Sequence, residues 1–246
     1  MNIALTFHRI TKNDFTNYED VSIEKLLFLL DKISGSTCSL NDIVESKVTD
    51  PSWLLTFDDG FSSDVEIALP LLKSFNVSAI FFIVTSYIGK PNYLSKNQII
   101  DLANCGMSIG SHSVNHYDML NLSKIDRMNE LIVSKKELEK IISKKVSSFS
   151  FPYGRYNNKI VKDVYDAGYE YCFTSKPGVF KAKDKLIPRL SLNAQMSEKE
   201  IAELVEKKIV NKLKDSIYYK IKDFAKFCIG MNNYWRLRKL FLNEKN

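Results

Sequence analysis

Histidine and cysteine are scarce in this sequence, which has three of the former and four of the latter among 246 residues. The cysteines, Cys38, Cys105, Cys172 and Cys228, are widely spaced, and no two of them form a Cys-x-x-Cys pair. This spacing excludes a zinc knot and a dense disulfide framework. It favours reduced, mostly buried thiols in a cytoplasmic protein.

Long apolar segments are also missing. No run of about 18 apolar residues occurs, which argues against a membrane-spanning helix. Residues 1–8 enter a strand-like pattern without the basic region and apolar stretch of a secretory signal, so we expect a cytoplasmic location. Neither an internal repeat nor a low-complexity linker is visible, and the length suits one large α/β domain.

The net charge of +6 is concentrated in one segment. Residues 201–246 contain 11 Lys and Arg against 5 Asp and Glu, whereas the remaining residues are balanced. Aromatic residues accompany these charges on predicted helices at 198–213, 217–229 and 233–242, and the run SEKE (197–200) opens the first as a capping box.

This basic segment has three interpretations. Its apolar periodicity favours packing on the preceding domain. Basic amphipathic helices with Trp and Tyr also make peripheral contact with anionic membranes, here the inner membrane face. Nucleic acid is not an expected partner, because no recognised nucleic-acid motif accompanies the charge.

The run WLLTFDDG (53–60) combines a short apolar stretch with two adjacent carboxylates and a glycine. Such a run indicates a buried strand with a functional tip. Successive side chains of a strand point to opposite faces, so Asp58 and Asp59 cannot have the same role. One metal ligand and one acid–base group would fit this arrangement. A plain Asp-Gly turn is the alternative.

The run GMSIGSHSVNH (106–116) contains His112 and His116, two of the three histidines, four positions apart. Imidazole and carboxylate are the usual ligands of a catalytic zinc, and three protein ligands leave a position for water. A lone histidine is more often a core or surface residue. Two on one short loop, together with the Asp-Asp-Gly strand end, favour a metal site.

The apolar pattern alternates between strands and helices. The predicted strands are 3–8, 53–58, 77–84, 107–112, 146–151, 169–174 and 185–192. The predicted helices before the basic segment are 22–33, 68–75, 95–105, 123–142 and 158–167. Alternation of this kind indicates parallel βα units. Seven strands with candidate site residues at their C-terminal ends fit a distorted barrel.

The motifs TFDDG (56–60), SHSVNH (111–116) and FPYG (151–154) resemble, in order and spacing, the first three motifs of the polysaccharide deacetylases (NodB-like, carbohydrate esterase family 4). That family has an incomplete (β/α) barrel. The resemblance therefore implies an α/β fold, a distorted (β/α)7-type barrel at residues 1–196. A basic amphipathic helical extension at 197–246 follows it, packed on or beside the barrel.

The resemblance also implies roles for the polar residues of the first two motifs. Asp59, His112 and His116 would hold a divalent metal, and Asp58 would be the general base toward water. The metal would polarise the amide carbonyl and lower the pKa of the attacking water. Zn²⁺ is expected from the ligand types, although two histidines and a carboxylate also accept Fe²⁺, Co²⁺ or Ni²⁺.

The third motif and one arginine complete the expected site. As in similar enzymes, the backbone N–H of Tyr153 would stabilise the oxyanion, and Pro152 and Tyr153 would wall the sugar pocket. A simple turn is the alternative for this motif. Arg189 is expected either to orient Asp58 or to bind an anionic substrate group, with a surface arginine as the alternative.

The chain departs from the family pattern at three places. Ser150 stands where many members have Arg, and YCFT (171–174) and LSL (190–192) replace an Asp/Trp motif and a Leu-x-His motif. The usual general-acid histidine is therefore missing. His8, at the end of the first strand, resembles the Tyr-His of exopolysaccharide deacetylases, and we predict that it is the general acid. The alternative is a histidine that orders the strand end.

Together these features predict a metal-dependent hydrolase of carbon–nitrogen bonds that removes an acetyl group from an N-acetylated sugar. Without a visible secretion signal, a nucleotide- or lipid-linked precursor in cell-surface polysaccharide synthesis is the expected substrate. A formamido-sugar deformylase is one alternative, because the same metal and base serve both acyl groups. A non-catalytic glycan-binding barrel is another, although the complete ligand set argues against it.

Overall fold

The structure is a computed structural model that describes residues 2–12 and 15–206. Ten strands occur in this part of the chain. They are β1 (Ile3–Phe7), β2 (Ile10–Thr11), β3 (Val21–Ser22), β4 (Trp53–Phe57), β5 (Ala79–Ile83), β6 (Ser108–Ser111), β7 (Ser148–Ser150), β8 (Tyr171–Phe173), β9 (Leu186–Ile187) and β10 (Arg189–Ser191). Strands β2 and β3 pair separately, and the other eight form one sheet in the order β10-β1-β4-β5-β6-β7-β8-β9.

Seven α-helices surround this sheet in the described residues. They are α1 (Ile23–Ile33), α2 (Leu40–Val44), α3 (Leu69–Ser74), α4 (Lys96–Asn104), α5 (Lys124–Ile142), α6 (Asn158–Asp166) and α7 (Glu198–Val205). The capping-box residues Ser95 and Gln98 start α4 as their spacing predicts. Helix α2 was not predicted from the sequence, because its single turn is too short to show a period.

The two edge strands of the nearly closed barrel are joined at Pro188. Strand β9 pairs with β8 at one edge of the sheet, β10 pairs with β1 at the other, and Pro188 alone separates the two strands. The prediction of one strand over 185–192 was therefore wrong. Proline has no N–H to donate to a ladder, so the strand breaks there. All pairs of the sheet are parallel, and the predicted distorted (β/α) barrel is confirmed.

Alternate residues of each strand belong to two apolar clusters. On β5, Phe81 joins the cluster shared with the surrounding helices, whereas Phe82 joins the cluster inside the barrel. The inner cluster contains inward-facing residues of five strands, and these are Ala4, Leu54, Ile80, Phe82, Tyr171, Phe173 and Ile187. Leu40 and Ile43 of α2 complete it at the amino ends of the strands. The carboxyl ends are consequently left to polar residues.

Helix α7 is the first helix of the predicted extension, and it packs against α1 through its buried Ile201 and Leu204. The rest of the helix predicted over 198–213, from residue 207 onward, lies outside the described residues. So do the helices at 217–229 and 233–242. The division of the chain at residue 196 therefore remains a prediction. Within the described ranges, no helix has the length and apolar character needed to cross a membrane.

Candidate functional site

The site begins where β1 and β4 end side by side. Phe7 and Phe57 are register partners, and the backbone N–H of Asp58 donates to the carbonyl of Phe7 over 2.9 Å. His8 and Asp58 are the next residues of the two strands. Neighbouring strands lie about 4.8 Å apart, so the pairing alone brings these two positions together on one rim.

The chain turns sharply after Asp58. Asp59 and Gly60 both have left-handed backbone conformations, with φ of +76° and +77°. The positive φ favours glycine at position 60, where a Cβ atom would also lie close to the Ile83 side chain, 3.1 Å from its Cδ1 atom. The turn places the Asp58 side chain in the barrel interior, 3% exposed, while Asp59 lies partly exposed on the rim. The predicted difference between the two carboxylates follows from this geometry.

A tight loop after β6 brings His116 back beside His112. The backbone N–H of His112 donates to the carbonyl of Ile83 over 2.9 Å and thereby continues the sheet by one residue. Ser113 and His116 then adopt left-handed conformations, with φ of +69° and +57°. The Ser113 Oγ atom accepts the backbone N–H of His116 over 2.9 Å and closes the loop.

A buried glutamate of α5, Glu130, holds the same loop through hydrogen bonds. The Glu130 Oε2 atom accepts the backbone N–H groups of Val114 and Asn115 over 2.9 and 2.8 Å. Its Oε1 atom accepts the Asn115 side-chain amide over 2.6 Å. These three bonds satisfy a carboxylate that is 7% exposed. The position of the loop between the two histidines is thus set by a residue far along the sequence.

The predicted ligands lie together in a triangle. The Nε2 atoms of His112 and His116 are 3.1 Å apart, and the Asp59 Oδ1 atom lies 3.6 Å from the first and 3.4 Å from the second. Ligands bound tetrahedrally to zinc at about 2.0–2.1 Å lie about 3.3–3.4 Å from one another. Asp59 Oδ1 is buried without a hydrogen-bond partner among the described residues. The three residues therefore fit a divalent metal ion.

His112 and His116 also have the protonation state that a metal ligand needs. His112 Nδ1 lies 2.8 Å from the carbonyl oxygen of Ser150, which accepts a hydrogen bond only if Nδ1 carries the proton. That tautomer leaves Nε2 with a free lone pair toward Asp59. Burial lowers the pKa of His112 and of His116 to about 4. Both rings are therefore neutral, as metal ligands must be, at neutral pH.

The predicted base, Asp58, is paired with Arg189 inside the barrel. Arg189 Nη1 donates to Asp58 Oδ1 over 2.7 Å, and Nη2 donates to Oδ2 over 2.8 Å. Ser150 Oγ donates a third bond to Oδ2 over 3.1 Å. Burial alone would raise the pKa of Asp58, but the Arg189 guanidinium, with His112, holds it well below its ordinary value. Asp58 is thus an anion held in one orientation.

Arg189 has no donor left for a substrate. It is fully buried, and its remaining N–H groups donate to Thr56 Oγ1, to Ser150 Oγ and to the carbonyl of Thr174 over 2.7–3.1 Å. The expected contact with an anionic substrate group is corrected by this geometry, since all five guanidinium donors are used. Of the two expected roles, the structure supports the orientation of Asp58.

His8 lies on the rim beside the two aspartates. Its Nε2 atom is 3.7 Å from Glu19 Oε2, and its Nδ1 atom is buried without a partner in the described part of the chain. Burial opposes protonation, but the carboxylates of Glu19, Asp59 and Asp58 outweigh it and raise the pKa of His8. A histidine of this kind is able to carry a proton near neutral pH.

The third motif forms a turn at the edge of the same site. Tyr153 adopts a left-handed conformation, φ +59°, and its ring lies edge-on to that of His116 at 4.5 Å between centroids. Burial raises the pKa of Tyr153 to about 12, so its hydroxyl stays protonated. Pro152 is buried in this turn, and its role as a wall of the sugar pocket stays a prediction. Tyr153 is the partly exposed residue of the pair.

Sequence reasoning missed the supporting residues. Ser150 was noted only as a departure from the family pattern, yet its carbonyl orients His112 and its hydroxyl bonds Asp58. Glu130 carries no local signal among the many charged residues of α5. Asp64, in the π-helix Asp64–Ala68, is fully buried, and both carboxylate oxygens lack partners among the described residues. The one local signal for Asp64 is the run SSD (62–64), which is typical of a polar turn.

Comparisons with known sequences agree with this site. The sequence model described as polysaccharide deacetylase matches residues 45–172, just over half of the chain. YxkH of Bacillus subtilis (strain 168), which is named for the same family, is 31% identical over 134 residues. That alignment covers 54% of this chain, and the chain spans about half, 48%, of the length of YxkH. The poly-β-1,6-N-acetyl-D-glucosamine N-deacetylase of Staphylococcus aureus (strain MSSA476) is 23% identical, with 78% of each chain covered.

Solved structures share the fold. The Streptococcus pyogenes deacetylase PplD superposes with a TM-score of 0.73 at 22% identity, over 82% of this chain and 96% of its own. IcaB from Ammonifex degensii gives 0.74 at 19% identity, over 83% and 97% of the two chains. The matched segment contains all three proposed ligands and Asp58, and the predicted family is confirmed. This chain belongs to the polysaccharide deacetylase family.

Proposed function

We propose that this protein is a metal-dependent N-deacetylase that hydrolyses the acetamide of an amino sugar. The observation that carries the proposal is the joint geometry of the two aspartates. Asp59 faces two neutral histidines with an unpartnered oxygen, while Asp58, one residue earlier, is held as an anion by Arg189. The end of β4 therefore carries the proposed base and one proposed metal ligand on adjacent residues.

The relatives support the choice of substrate. The curated relative from Staphylococcus aureus carries the name of a poly-N-acetylglucosamine N-deacetylase, and its alignment covers most of both chains. An N-acetylated sugar offers one acetamide carbonyl and a poor amine leaving group. Its hydrolysis therefore needs polarisation of the carbonyl, removal of a proton from water and delivery of a proton to nitrogen.

Asp58 is suited to the first proton transfer. It accepts three hydrogen bonds, from the two Arg189 nitrogens and Ser150, and a carboxylate has about four acceptor positions. One position is therefore left for the attacking water. A divalent ion, most simply Zn²⁺, held by Asp59, His112 and His116 supplies the Lewis acidity for the carbonyl and for that water.

His8 is suited to the second proton transfer. Its neighbouring carboxylates raise its pKa, so it holds a proton that it can give to the leaving nitrogen. The backbone N–H of Tyr153, in the turn beside His116, is the donor that we assign to the developing oxyanion. The Tyr153 ring, packed on His116, bounds the acyl group there.

The carrier of the sugar is a separate part of the proposal. A nucleotide- or lipid-linked precursor, a cytoplasmic location and a membrane contact through residues 201–246 remain predictions from the sequence. The basic residues concerned, from 207 onward, lie outside the described part of the chain. Substrates that differ only in the group linked to the sugar distinguish a precursor from a polymer.

The proposal is tested by acetate release. Purified protein with added Zn²⁺ is incubated with oligomers of N-acetylglucosamine and, in parallel, with formamido analogues. We expect acetate from the first set, and a loss of about 10²–10⁴-fold in the Asp58→Asn variant, the usual contribution of a general base. Formate release without acetate would indicate a deformylase. Binding of oligomers with neither product would indicate a glycan-binding barrel.

A further inference from the structure

A part-buried ion pair joins two segments that flank the candidate site. Arg155 directly follows the third motif, FPYG (151–154), and Asp118 lies two residues after His116. The Arg155 Nη1 atom donates to Asp118 Oδ2 over 2.6 Å, and the two side chains are 19% and 6% exposed. Water and salt screen such a pair less than a pair on the surface. Neither residue has a part in the proposed proton transfers.

The Asp118 end of the pair is anchored within its own segment. Its Oδ1 atom accepts the backbone N–H of Leu120 over 3.1 Å and so caps the 3₁₀ helix Met119–Asn121. Its Oδ2 atom also accepts the Asn121 side-chain amide over 3.3 Å. The carboxylate is therefore held in place by neighbouring residues and offers Arg155 a fixed partner.

The Arg155 end of the pair adjoins a strained turn. Tyr153 and Gly154 both have left-handed backbone conformations, with φ of +59° and +65°. A tyrosine rarely adopts this conformation unless its surroundings impose it. On one side, Gly154 lies so close to Ser175 that a Cβ atom at position 154 would be 2.5 Å from the Ser175 Cβ atom. On the other side, Arg155 holds the turn to Asp118.

This turn contacts the segment after β6 at two matching positions. The Tyr153 ring packs on the His116 ring at 4.5 Å between centroids. The ion pair joins the residues two positions further along each segment. An apolar contact alone is non-directional, whereas a short charge-assisted hydrogen bond adds a fixed distance and direction. Together the two contacts set the position of the Tyr153 backbone relative to His116.

We propose that Arg155 and Asp118 are positioning residues, which fix the backbone N–H of Tyr153 relative to the metal ligands. The inference rests on the proposed deacetylase function, in which this N–H is the donor to the developing oxyanion. An error of about 1 Å in the placement of such a group can cost about 10²-fold in rate. The loop 113–116 is held separately by Ser113 and Glu130, so the ion pair acts on the oxyanion donor and not on metal affinity.

Two variants remove the charges and largely keep the shapes. Arg155→Met retains an unbranched side chain, and Asp118→Asn retains an oxygen that can cap the Leu120 N–H. We expect kcat for acetate release from N-acetylglucosamine oligomers, with Zn²⁺ added, to fall about 10–10²-fold in each variant. KM and Zn²⁺ affinity should stay within about threefold of those of the unchanged protein.

Combined and conservative changes test whether the two residues act as one unit. The double variant should lose no more kcat than either single variant, because each single change already breaks the pair. Arg155→Lys keeps a cation that can reach Asp118, and it should retain most of kcat.

Glu139→Gln is the matched control. Glu139 has the same two roles as Asp118, because it accepts Lys135 Nζ over 2.7 Å and the backbone N–H of Val146 over 3.0 Å. Val146 precedes β7, at the opposite end of the barrel from the site. This variant loses an ion pair without a change at the site, so kcat should be unchanged. Thermal unfolding checks that each variant folds.

A second measurement needs neither metal nor substrate. The Gly154 amide donates to the carbonyl of Phe151 over 2.9 Å within the turn. Its hydrogen exchange in zinc-free protein should be at least about tenfold faster in Arg155→Met, because the turn opens more often. Exchange in the loop 113–116 should be unchanged, since Ser113 and Glu130 still hold it.

Each outcome bears on one of the two claims. Unchanged kcat in both variants, an equal loss in Arg155→Lys and Arg155→Met, or unchanged Gly154 exchange would overturn the positioning role and leave the deacetylase function standing. A loss of Zn²⁺ affinity that matches the loss of kcat would also overturn it, because the pair would then act through His116. Acetate release from none of the substrates by the unchanged protein would contradict the deacetylase function. The positioning role would fall with it, even if the exchange result shows that the pair holds the turn.

Discussion

At the scale of single residues, the site depends on an anion kept inside a barrel. A buried carboxylate is tolerable only if it is paired and hydrogen-bonded, and Asp58 obtains both from Arg189 and Ser150. Because Ser150 is small, the guanidinium that enters from β10 has the space to reach Asp58. Ser150 stands where the family resemblance leads us to expect an arginine, and in this chain the guanidinium that reaches Asp58 comes from β10.

We predict that Arg189→Ala destabilises the fold by about 3–5 kcal/mol, because it leaves a buried charge unpaired. Acetate release should fall by about 10²-fold or more, since the base loses its orientation. Ser150→Arg in the same background should restore part of both. Urea unfolding and kinetics measure the two effects.

Arg127→Ala is the matched control for this prediction, because Arg127 forms a part-buried pair with Asp163 and contacts none of the predicted site residues. It should lower stability but leave the kinetics of the folded protein unchanged. Full activity in Arg189→Ala would show that Asp58 does not depend on its buried partner.

Asp64 gives a second prediction at this scale. Burial, then the charges of Asp59 and Asp58, raise its pKa well above the ordinary value. The folded protein therefore holds a proton that the unfolded chain releases above about pH 4, so stability falls as pH rises toward the folded pKa. Asp64→Asn removes this titration. Its free energy of unfolding should exceed that of the unchanged protein by a margin that grows with pH, by at most about 1.4 kcal/mol per unit.

Urea unfolding at about pH 5 and about pH 8, with a chelator present, measures this margin. The exposed Asp101→Asn is the matched control and should show no such trend. A margin for Asp64→Asn that is constant over the same pH range would mean that Asp64 is ionised in the folded protein.

At the scale of elements, strand ends and one loop position the ligands. His112 continues the sheet by one residue, Asp59 lies in the turn that follows β4, and His116 depends on the loop 113–116. That loop is held by Ser113 and by Glu130 of α5. His116 is therefore the ligand whose position depends on a helix outside the sheet.

We predict that Glu130→Gln weakens Zn²⁺ binding about 10–100-fold, the usual cost of altering groups that support metal ligands. An amide cannot accept all three hydrogen bonds that the carboxylate accepts, so the loop loosens around His116. Competition with a chromophoric chelator measures the affinity. Glu137→Gln, on the same helix, is the matched control, and equal affinities for both variants would contradict this role of Glu130.

At the scale of the whole molecule, local patterns predicted the fold better than they predicted the site's support. Six of the seven predicted strands and the helix caps follow from short motifs, because each is set by residues close in sequence. The break at Pro188 divided one predicted strand between the two edges of the sheet. The Arg189–Asp58 pair joins two strands that are far apart in the sequence. Glu130 reaches the loop before His116 from the helix that follows it. No local periodicity contains that information.

The polar residues of the candidate site all lie at one end of the barrel. Apolar residues and α2 fill its amino end, while the carboxyl ends of β1, β4, β6 and β7 carry His8, the two aspartates, the histidine loop and Ser150. In parallel barrels the loops at this end carry the chemistry.

The central claim is that Asp59, His112 and His116 hold a metal on which deacetylation depends. The most direct measurement is the metal content of the purified protein and of the Asp59→Ala, His112→Ala double variant, with acetate release followed in both. We predict about one equivalent of a divalent metal in the unchanged protein, the stoichiometry of a three-ligand catalytic site. Metal and acetate release should disappear together in the variant. A protein that takes up no metal under metal-replete conditions, or a variant that loses its metal and still releases acetate, would contradict the account.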